Sequence, residues 1–389
     1  MPPAQTSRMK VFQVADEITL VHSGEDYFDR LVRLIDEARE TLHLQTYIFE
    51  ADETGQLIAV ALKRAAARGV RIRVLVDGVG SNHLPWSFVQ DLLSSGIEFR
   101  FFKHVISLWK WSFGRTMHHK VAVADSNQAL IGGINIADKY RGTAEMPAWL
   151  DFAVYIRGNL CAHLFELCES VFKRQYWKRK YPKLSFKKKS PPPPRPEGLL
   201  RFRQNDWMRG RTEIFTSYRL ALSNARHSLV IVASYFLPGY GSRKRLTAKA
   251  RRGVEIKVLL TGPSDVYLSR LAEQHLTSWM IRKGIRVFRW TQSVMHGKAL
   301  VVDDQLVSMG SYNINRLSQI RSMELNVDIL DPAFVRHFSH YLHDLLEHQC
   351  EEITAETLEP LNRWQRWKAF LAYHLVYFLM RLLFPQKRG

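Results

Sequence analysis

Residues His118–Asn135, HHKVAVADSNQALIGGIN, decide the fold, because the chain repeats their pattern at His296–Asn313 as HGKALVVDDQLVSMGSYN. Both stretches read His-x-Lys, four residues, Asp, six residues, Gly, then Gly or Ser, one residue and Asn. A single His-x-Lys would be noise, but five shared positions that occur twice are not a chance match. We therefore predict that the chain is an internal duplication.

The segments that precede the two motifs repeat as well. Thr41–Gly78 and Ser228–Gly262 each read as an apolar strand, a turn with an aromatic pair, a helix rich in Ala, Lys and Arg, and a second strand. Each helix ends at a glycine suited to a C-cap, Gly69 or Gly253. This order predicts βαβ units with parallel strand pairs, so the fold class is α/β with two homologous domains that share one active site.

A change of composition separates the two copies. Lys173–Lys189 holds nine Lys or Arg and no acid, and four prolines follow at Pro191–Pro194. Four prolines cannot continue a helix or join a central strand, so we expect an extended linker or a surface loop. The predicted boundaries are residues 1–172 for the first half, 173–200 for the linker, 201–350 for the second half and 351–389 for a C-terminal amphipathic helix that associates with membranes.

The composition is that of a folded protein with an anionic partner. The 389 residues are 46% apolar and 24% charged, which suits two globular domains. The formal net charge of +19 predicts that nucleic acid or an anionic lipid surface is the partner, with solubility as the alternative explanation.

Cysteine usage and hydropathy indicate where the protein acts. The three cysteines give no disulfide framework and no paired zinc spacing, and Cys161 and Cys168 stand in an apolar helical stretch that predicts burial. We expect a reducing, cytosol-facing location. The first thirty residues have no apolar signal core, and no stretch reaches the roughly 18–20 apolar residues of a spanning helix. Neither export by a cleaved signal nor a membrane span is expected.

The motif spacing has a physical reason. A short apolar run follows each His-x-Lys, so the motif opens a strand on which side chains two residues apart point into the same cleft. A phosphodiester displacement spreads negative charge over the equatorial oxygens, and converging lysines and asparagines would stabilise it without a metal or a cofactor. One neutral histidine attacks phosphorus, and the other, protonated, serves the leaving alkoxide. Because each half supplies one histidine, both halves are needed.

The candidate residues fall into two groups. Asp125 and Asp303 belong to the shared motif, although a turn or a structural pairing is the favoured interpretation for both. Asp151 and Glu324 begin apolar strands after their motifs. Two interpretations stand equally: they orient the histidines, or they are surface residues. The catalytic candidates are His118, Lys120, Asp125, His296, Lys298 and Asp303. The phosphate-binding and supporting candidates are Gly133, Asn135, Asp151, Ser311, Asn313 and Glu324, with no metal ligand.

At these motifs the sequence resembles the phospholipase D superfamily and, within it, the bacterial cardiolipin synthases. The resemblance covers roughly residues 15–345 and extends to the YIFEAD and SYFLPG strand ends. It implies two phospholipase D-like α/β/α sandwich halves. The longer synthases begin with two membrane-spanning segments, and this chain looks more like the shorter, B-type synthase. Asp151 departs from the glutamate found in the second half.

The resemblance implies an activity and a location. A phosphatidyl group would pass without a metal from one phosphatidylglycerol to another, which releases glycerol, with His118 as nucleophile and His296 as acid and base. The implied partners are anionic phospholipids, with no nucleic acid. The implied location is the cytoplasmic side of the bacterial inner membrane, as a peripheral protein.

Two segments are candidates for membrane contact. The C-terminal segment has Trp364 and Trp367 at its start and cations at its end, which favours a helix lying in the headgroup region over one packed on its own domain or a partner. The segment Val105–Phe113, VISLWKWSF, either dips into lipid or packs. The basic run Lys173–Lys189 would face anionic headgroups.

Three other functions fit parts of the sequence. A nuclease on the same scaffold suits the net charge but has no use for the Trp-rich tail. A lipid hydrolase differs only in admitting water in place of an alcohol. A catalytically silent membrane scaffold disagrees with two intact motifs.

Overall fold

A computed structural model describes residues 11–102, 116–173, 197–262, 267–358 and 362–383. Two of the predicted segments, the Trp-rich Val105–Phe113 and all but the ends of the basic linker 173–200, lie outside the described residues.

The first half alternates strands with helices. Its elements are β1 (Gln13–Val14), β2 (Glu17–His22), α1 (Glu25–Glu37), β3 (Thr41–Thr46), α2 (Glu53–Ala67), β4 (Arg71–Asp77), α3 (Trp86–Ser94), β5 (Glu98–Phe102), β6 (Thr116–Met117), β7 (Val121–Ala124), β8 (Gln128–Gly132), α4 (Asp138–Arg141), β9 (Phe152–Arg157) and α5 (Cys161–Phe172).

The second half repeats this succession and adds elements at its end. They are β10 (Leu199–Asp206), β11 (Arg211–Thr212), α6 (Glu213–Asn224), β12 (Ser228–Ala233), α7 (Tyr240–Ala250), β13 (Glu255–Leu260), α8 (Tyr267–Ile281), β14 (Arg286–Trp290), β15 (Lys298–Val302), β16 (Leu306–Gly310), α9 (Arg316–Ile320), β17 (Ser322–Ile329), α10 (Pro332–His348), β18 (Cys350–Ile353) and α11 (Arg363–Leu383).

The two sheets have the same strand order. The first runs β2-β9-β8-β7-β3-β4-β5, and the second contains β10-β17-β16-β15-β12-β13-β14 in the same succession. In both, the βαβ unit supplies the parallel pairs, β3 with β4 and β12 with β13, while the motif hairpin pairs antiparallel to the unit's first strand. The predicted α/β fold with an internal duplication is confirmed. The C-cap prediction is confirmed as well, since Gly69 and Gly253 have φ of +87° and +79°.

Two short strands of the first half pair with the sheet of the second half. β1 pairs with β10, and β6, directly before the first motif, pairs in parallel with β17. β18 pairs with β14, so this strand crosses the predicted boundary at residue 350. β10 begins at Leu199, one residue before the predicted end of the linker. The first half therefore contributes hydrogen bonds to the sheet of the second.

A shared hydrophobic core joins the halves. It contains one face of each sheet together with α5 and α10, and Phe152, Phe338 and Met309 are among its fully buried members. Cys161 and Cys168 lie in this core as free thiols, as predicted. Two further cores lie on the outer faces, one under α1, α2 and α3 and one under α6, α7 and α8. Burial of this kind on both sides of each sheet fixes the halves relative to each other.

The C-terminal helix α11 has two different faces. Ala369, Ala372 and Tyr373 are buried, and the Tyr373 hydroxyl accepts a hydrogen bond from Arg243 at 3.2 Å. The opposite face exposes large apolar side chains, which are Trp364, Trp367, Phe370, Leu371 and Leu375. One face of α11 therefore packs on the domain, and the other stays open. Contact of the open face with the headgroup region stays a prediction. Among the described residues, none of the helices has the length and hydropathy of a membrane span.

Candidate active site

The first motif histidine is held by the second half of the chain. His118 follows β6, and its backbone N–H donates to the Met323 carbonyl at 2.9 Å. Its ring Nδ1 lies 2.8 Å from Oε2 of Glu324, the third residue of β17. Glu324 is fully buried, and its Oε2 also accepts from the Ser311 hydroxyl at 2.6 Å. The carboxylate therefore holds the proton of the imidazole on Nδ1 and leaves Nε2 for chemistry.

The second motif histidine is held in the same way by the first half. The N–H of His296 donates to the Leu150 carbonyl at 2.8 Å, and His296 Nδ1 lies 2.6 Å from Asp151 Oδ2. Asp151 directly precedes β9 and Glu324 lies at the start of β17, and these two places are equivalent in the repeat. The two histidine–acid pairs are therefore related by the internal symmetry, and each pair joins one half to the other. Each histidine takes its orienting acid from the other half. Sequence reasoning named both acids but did not predict the crossing.

The motif lysines lie beside the histidines and are fully buried. Lys120 Nζ donates to the His118 carbonyl at 3.1 Å and lies 5.1 Å from the Tyr47 ring centroid. Lys298 Nζ lies 3.0 Å from His296 Nδ1 and 4.0 Å from Asp151 Oδ2. Burial lowers the pKa of Lys120 to about 7 and that of Lys298 to about 8. The nearby carboxylates do not fully offset the cost of burying the two ammonium groups, so a bound anion would stabilise their charge.

The ionisable groups of the two motifs act on each other. Burial, followed by the charges of Lys298, Lys120 and His118, lowers the pKa of His296 well below its ordinary value. Burial also lowers the pKa of His118 and raises that of Asp151 to about 7. These mutual effects show that both motifs lie in one electrostatic site. A bound phosphodiester anion would offset this excess of positive charge.

The two acids are accommodated by different neighbours. A Cβ on Gly133 would come within 2.6 Å of Asp151 Oδ2, so only glycine fits there. Ser311 occupies the equivalent place in the second half and donates its hydroxyl to the longer acid, Glu324. In each half the residue after the motif's first glycine has to leave room for the acid that orients a histidine. The first half combines a glycine with an aspartate, and the second combines a serine with a glutamate.

The motif aspartates lie at the opposite end of their strands from the histidines. The Asp125 carboxylate accepts from the backbone N–H groups of Arg39, Glu40 and Thr41, each at 2.9 Å. Asp303 binds the backbone N–H groups of residues 226–228 in the same way, at 2.7–3.1 Å. Both aspartates have positive φ in the hairpin turn. The geometry therefore places their side chains on backbone amides that precede β3 and β12, which suits the structural interpretation.

The motif asparagines are tied to the loops beyond β3 and β12. Asn135 is fully buried; its Oδ1 accepts from the Ile48 N–H at 3.0 Å and its Nδ2 donates to the Tyr140 hydroxyl at 2.7 Å. Asn313 Oδ1 accepts from the Ser234 hydroxyl at 3.0 Å. Both groups of the Asn135 amide are thus used in hydrogen bonds that position the loop with Tyr47. In Asn313, by contrast, the bond to Ser234 uses only the amide oxygen.

Sequence reasoning missed a second pair of supporting residues. Asp77, at the end of β4, accepts the N–H of Met117 at 2.8 Å, and Thr261 accepts that of Met295 at 3.3 Å. Met117 and Met295 each directly precede a motif histidine. The repeat contained the signal, because VLVDG and VLLTG end the two βαβ units at equivalent points.

Aromatic rings border the two histidines unequally. The Tyr47 ring meets His118 edge-on at 4.8 Å between centroids. His296 has two neighbours from the first half, Tyr140 at 5.2 Å and Trp149 at 6.0 Å. The site therefore has two oriented imidazoles, two buried ammonium groups and aromatic walls, which suits displacement at a phosphodiester.

Comparison with known proteins agrees with this geometry. Residues 31–149 and 218–346 both match the family model described as the phospholipase D-like domain of cardiolipin synthase. The chain belongs to this family. Cardiolipin synthase B of Escherichia coli K12 is 31% identical over 368 residues, which cover 93% of this chain and 88% of that protein. Cardiolipin synthase 1 of Bacillus cereus is 27% identical over 95% of this chain and 73% of that protein.

Solved structures share the fold across the whole chain. Phosphatidylserine synthase from Haemophilus influenzae superposes with a TM-score of 0.71 at 16% identity and covers 97% of this chain and 98% of its own. Polyphosphate kinase from Porphyromonas gingivalis gives 0.61 at 17% identity over 95% of this chain and 54% of its own. Family membership identifies this chain as a phospholipid enzyme of the phospholipase D superfamily, as the sequence predicts.

Proposed function

We propose that the protein is a cardiolipin synthase that transfers a phosphatidyl group from one phosphatidylglycerol to another through a phosphohistidine. The observation that carries the proposal is the crossed arrangement, Glu324 with His118 and Asp151 with His296, around two buried lysines. The names of the E. coli and B. cereus relatives supply the product.

The first step breaks the bond between phosphorus and the headgroup oxygen. His118 Nε2 attacks phosphorus while the glycerol oxygen leaves and takes the Nε2 proton of His296. His296 carries that proton once the bound phosphodiester anion offsets the positive charges that lower its pKa in the free enzyme. Lys120 and Lys298 neutralise the charge on the equatorial oxygens. The products are a phosphatidyl-histidine and free glycerol.

The second step reverses the proton transfer. The hydroxyl of a second phosphatidylglycerol gives its proton to the now neutral His296 and attacks phosphorus, and the bond between phosphorus and His118 Nε2 breaks. Cardiolipin leaves, and both histidines return to their initial states. Assignment of the nucleophile to His118 follows the family resemblance, and the crossed geometry is compatible with it.

Several features of the surface favour a lipid over a nucleic acid. Val79, Tyr235 and Val294 lie beside the motifs or at the ends of the strands that support them, and between 40% and 52% of each side chain is exposed. The exposed face of α11 adds two tryptophans whose rings stack at 5.0 Å. Apolar side chains around an anion site suit a phospholipid in a bilayer, where tryptophans favour the headgroup region.

We infer a peripheral position at the cytoplasmic face of a bacterial inner membrane. The net charge of +19 attracts anionic headgroups, and the apolar face of α11 provides contact area without a span. Free cysteines at positions 161, 168 and 350 suit a reducing compartment.

Product analysis tests the proposal. Purified enzyme with phosphatidylglycerol vesicles and a chelator is expected to yield cardiolipin and glycerol in equal amounts, and His118→Ala enzyme to yield neither. Phosphatidic acid as the sole product would identify a hydrolase instead. Cleavage of single-stranded DNA with no lipid turnover would identify a nuclease.

A further inference from the structure

An ion pair between Glu50 and Lys139 stands beside His296. Lys139 Nζ lies 2.6 Å from Glu50 Oε1, and the positive charge of Lys139 is among the causes that lower the pKa of His296. The two side chains keep 40% and 27% of their surface exposed, respectively. A molecule bound at His296 can therefore reach both charged groups.

Trp149 completes this corner of the site. Lys139 Nζ lies 5.6 Å from the Trp149 ring centroid, and the Trp149 N–H donates to the Lys139 carbonyl at 2.8 Å. The Glu50 N–H donates to the Ile136 carbonyl at 3.0 Å. Backbone hydrogen bonds thus fix the main chain of all three residues, independently of the ion pair.

The second half has leucines at the positions that correspond to this ion pair. The Leu237 N–H donates to the Ile314 carbonyl at 3.0 Å, as the Glu50 N–H does to Ile136, so Leu237 corresponds to Glu50. Leu317 follows Ile314 by as many residues as Lys139 follows Ile136. A pair that the fold required would be expected in both copies, and exposed ion pairs contribute little to stability. The pair is therefore a specialisation of the side of the site that contains His296.

We propose that Glu50, Lys139 and Trp149 form a subsite for the glycerol diol of the headgroup that leaves or enters beside His296. This inference rests on the proposed function. The histidine that exchanges a proton with the alcohol must lie next to it, so recognition groups for the alcohol belong beside that histidine. The two free hydroxyls of the leaving headgroup match one carboxylate acceptor and one ammonium donor, and the indole offers an apolar face to the carbon chain. In the entering headgroup one hydroxyl attacks phosphorus and the other remains to bind the pair.

The subsite makes the enzyme prefer polyols to simple alcohols. A site built to hydrogen-bond a hydroxyl rejects an analogue that lacks it, because its own polar groups are then left unpaired. Ethanol reaches the phosphohistidine without engaging Glu50 or Lys139. Transfer to glycerol should therefore depend on the pair, and transfer to ethanol should depend on it much less.

Acceptor competition in full-length enzyme tests the inference. Phosphatidylglycerol vesicles receive labelled glycerol and ethanol together, and the ratio of labelled phosphatidylglycerol to phosphatidylethanol is measured. Glu50→Gln and Lys139→Met are expected to lower this ratio at least about fivefold through a higher KM for glycerol, whereas Lys139→Arg retains most of it. The matched control is Asp91→Asn, which removes an exposed ion pair with Lys63 outside the motifs and should leave the ratio unchanged.

Each result decides the question. Ratios within about twofold of wild type in both Glu50→Gln and Lys139→Met, with thermal unfolding unchanged, would overturn the subsite while the transferase function stands. Wild-type enzyme that forms neither phosphatidylethanol nor cardiolipin would overturn the proposed function and the subsite with it. A fall in the ratio with unchanged unfolding would exclude a purely structural role for the pair.

Discussion

Glu324 Oε2 lies 2.8 Å from Nδ1 of His118, although 206 residues separate them along the chain. The carboxylate fixes the imidazole tautomer that presents Nε2 to the substrate and stabilises the ring when it gains positive charge. We expect Glu324→Gln to lower kcat by about 10²- to 10⁴-fold, because an amide can hold the wrong tautomer equally well. Turnover of phosphatidylglycerol and of a soluble phosphodiester should fall alike, and circular dichroism checks the fold. A loss below about tenfold would argue against an orienting role.

The close contact between Gly133 and the Asp151 carboxylate predicts that equivalent substitutions at Gly133 and Ser311 have unequal effects on stability and activity. Gly133→Ser places a side chain against the Asp151 carboxylate, which should destabilise the protein by about 1–3 kcal/mol and displace the acid from His296. Ser311→Gly removes the bond from the Ser311 hydroxyl to Glu324 and the bond that this hydroxyl accepts from the Leu325 N–H, with an expected cost of about 1–2 kcal/mol. It leaves the Glu324 carboxylate beside His118, so the loss of kcat should be smaller. Urea unfolding and steady-state kinetics of the pair measure both effects. Equal losses in the two variants would contradict the geometry.

The titrations of the buried groups predict a narrow pH optimum. Asp151, with its pKa raised to about 7, is ionised and able to orient His296 only above that pH. Lys120 and Lys298, with pKa values lowered to about 7 and about 8, lose their charge as the pH rises through that range. We expect kcat/KM to fall on both sides of neutrality with apparent values that belong to the coupled group. A flat kcat/KM across this window would contradict the assignment.

Lys120 also makes the stability of the protein depend on pH. Its pKa is about 7 when folded and near 10.5 when unfolded, so the unfolded chain binds more protons between these values and stability rises with pH there. Below pH 7 both states hold the proton, and the full cost of the buried charge remains. Lys120→Met should therefore stabilise the protein most below neutrality, with an advantage that shrinks toward alkaline pH. Urea midpoints of both proteins across this range measure it, and an advantage independent of pH would refute it.

The exposed face of α11 predicts how the enzyme binds vesicles. Trp364→Ser and Trp367→Ser together remove apolar area that is more than half exposed, so vesicle binding should weaken at least about tenfold. Hydrolysis of a soluble phosphodiester should change less than twofold, since the buried Tyr373 keeps α11 in place. Trp86→Ser, on α3 of the first half and 60% exposed, is the matched control. Equal effects of the two variants on vesicle binding would contradict a specific role for α11.

The duplication was predictable because the same residue types recur at the same spacing in both halves. His-x-Lys, the turn aspartate and the glycines recur at fixed distances, and each is required locally by a strand or a hairpin turn. The parallel strand pairs followed from the two βαβ units. The amphipathic character of α11 was readable for the same reason, since periodicity is a local property.

Contacts between the halves were not predictable from those patterns. Nothing local distinguishes Glu324 as the partner of His118 from Asp151, because the choice depends on how two sheets pack face to face. The same holds for β1 and β6, whose short sequences give no indication that they pair with the second sheet. Asp77 and Thr261 escaped notice because the bonds they accept come from backbone groups distant in sequence.

The hydrogen bond from the His118 N–H to the Met323 carbonyl has a consequence for how the enzyme is made. The ribosome adds Met323 and Glu324 long after the first motif has emerged, and N-terminal segments begin to fold during synthesis. Until β17 exists, His118 has neither its backbone anchor nor its orienting acid. A nascent chain that ends before β17 therefore lacks an assembled first motif, so the proposed reaction can begin only after the second half has been made.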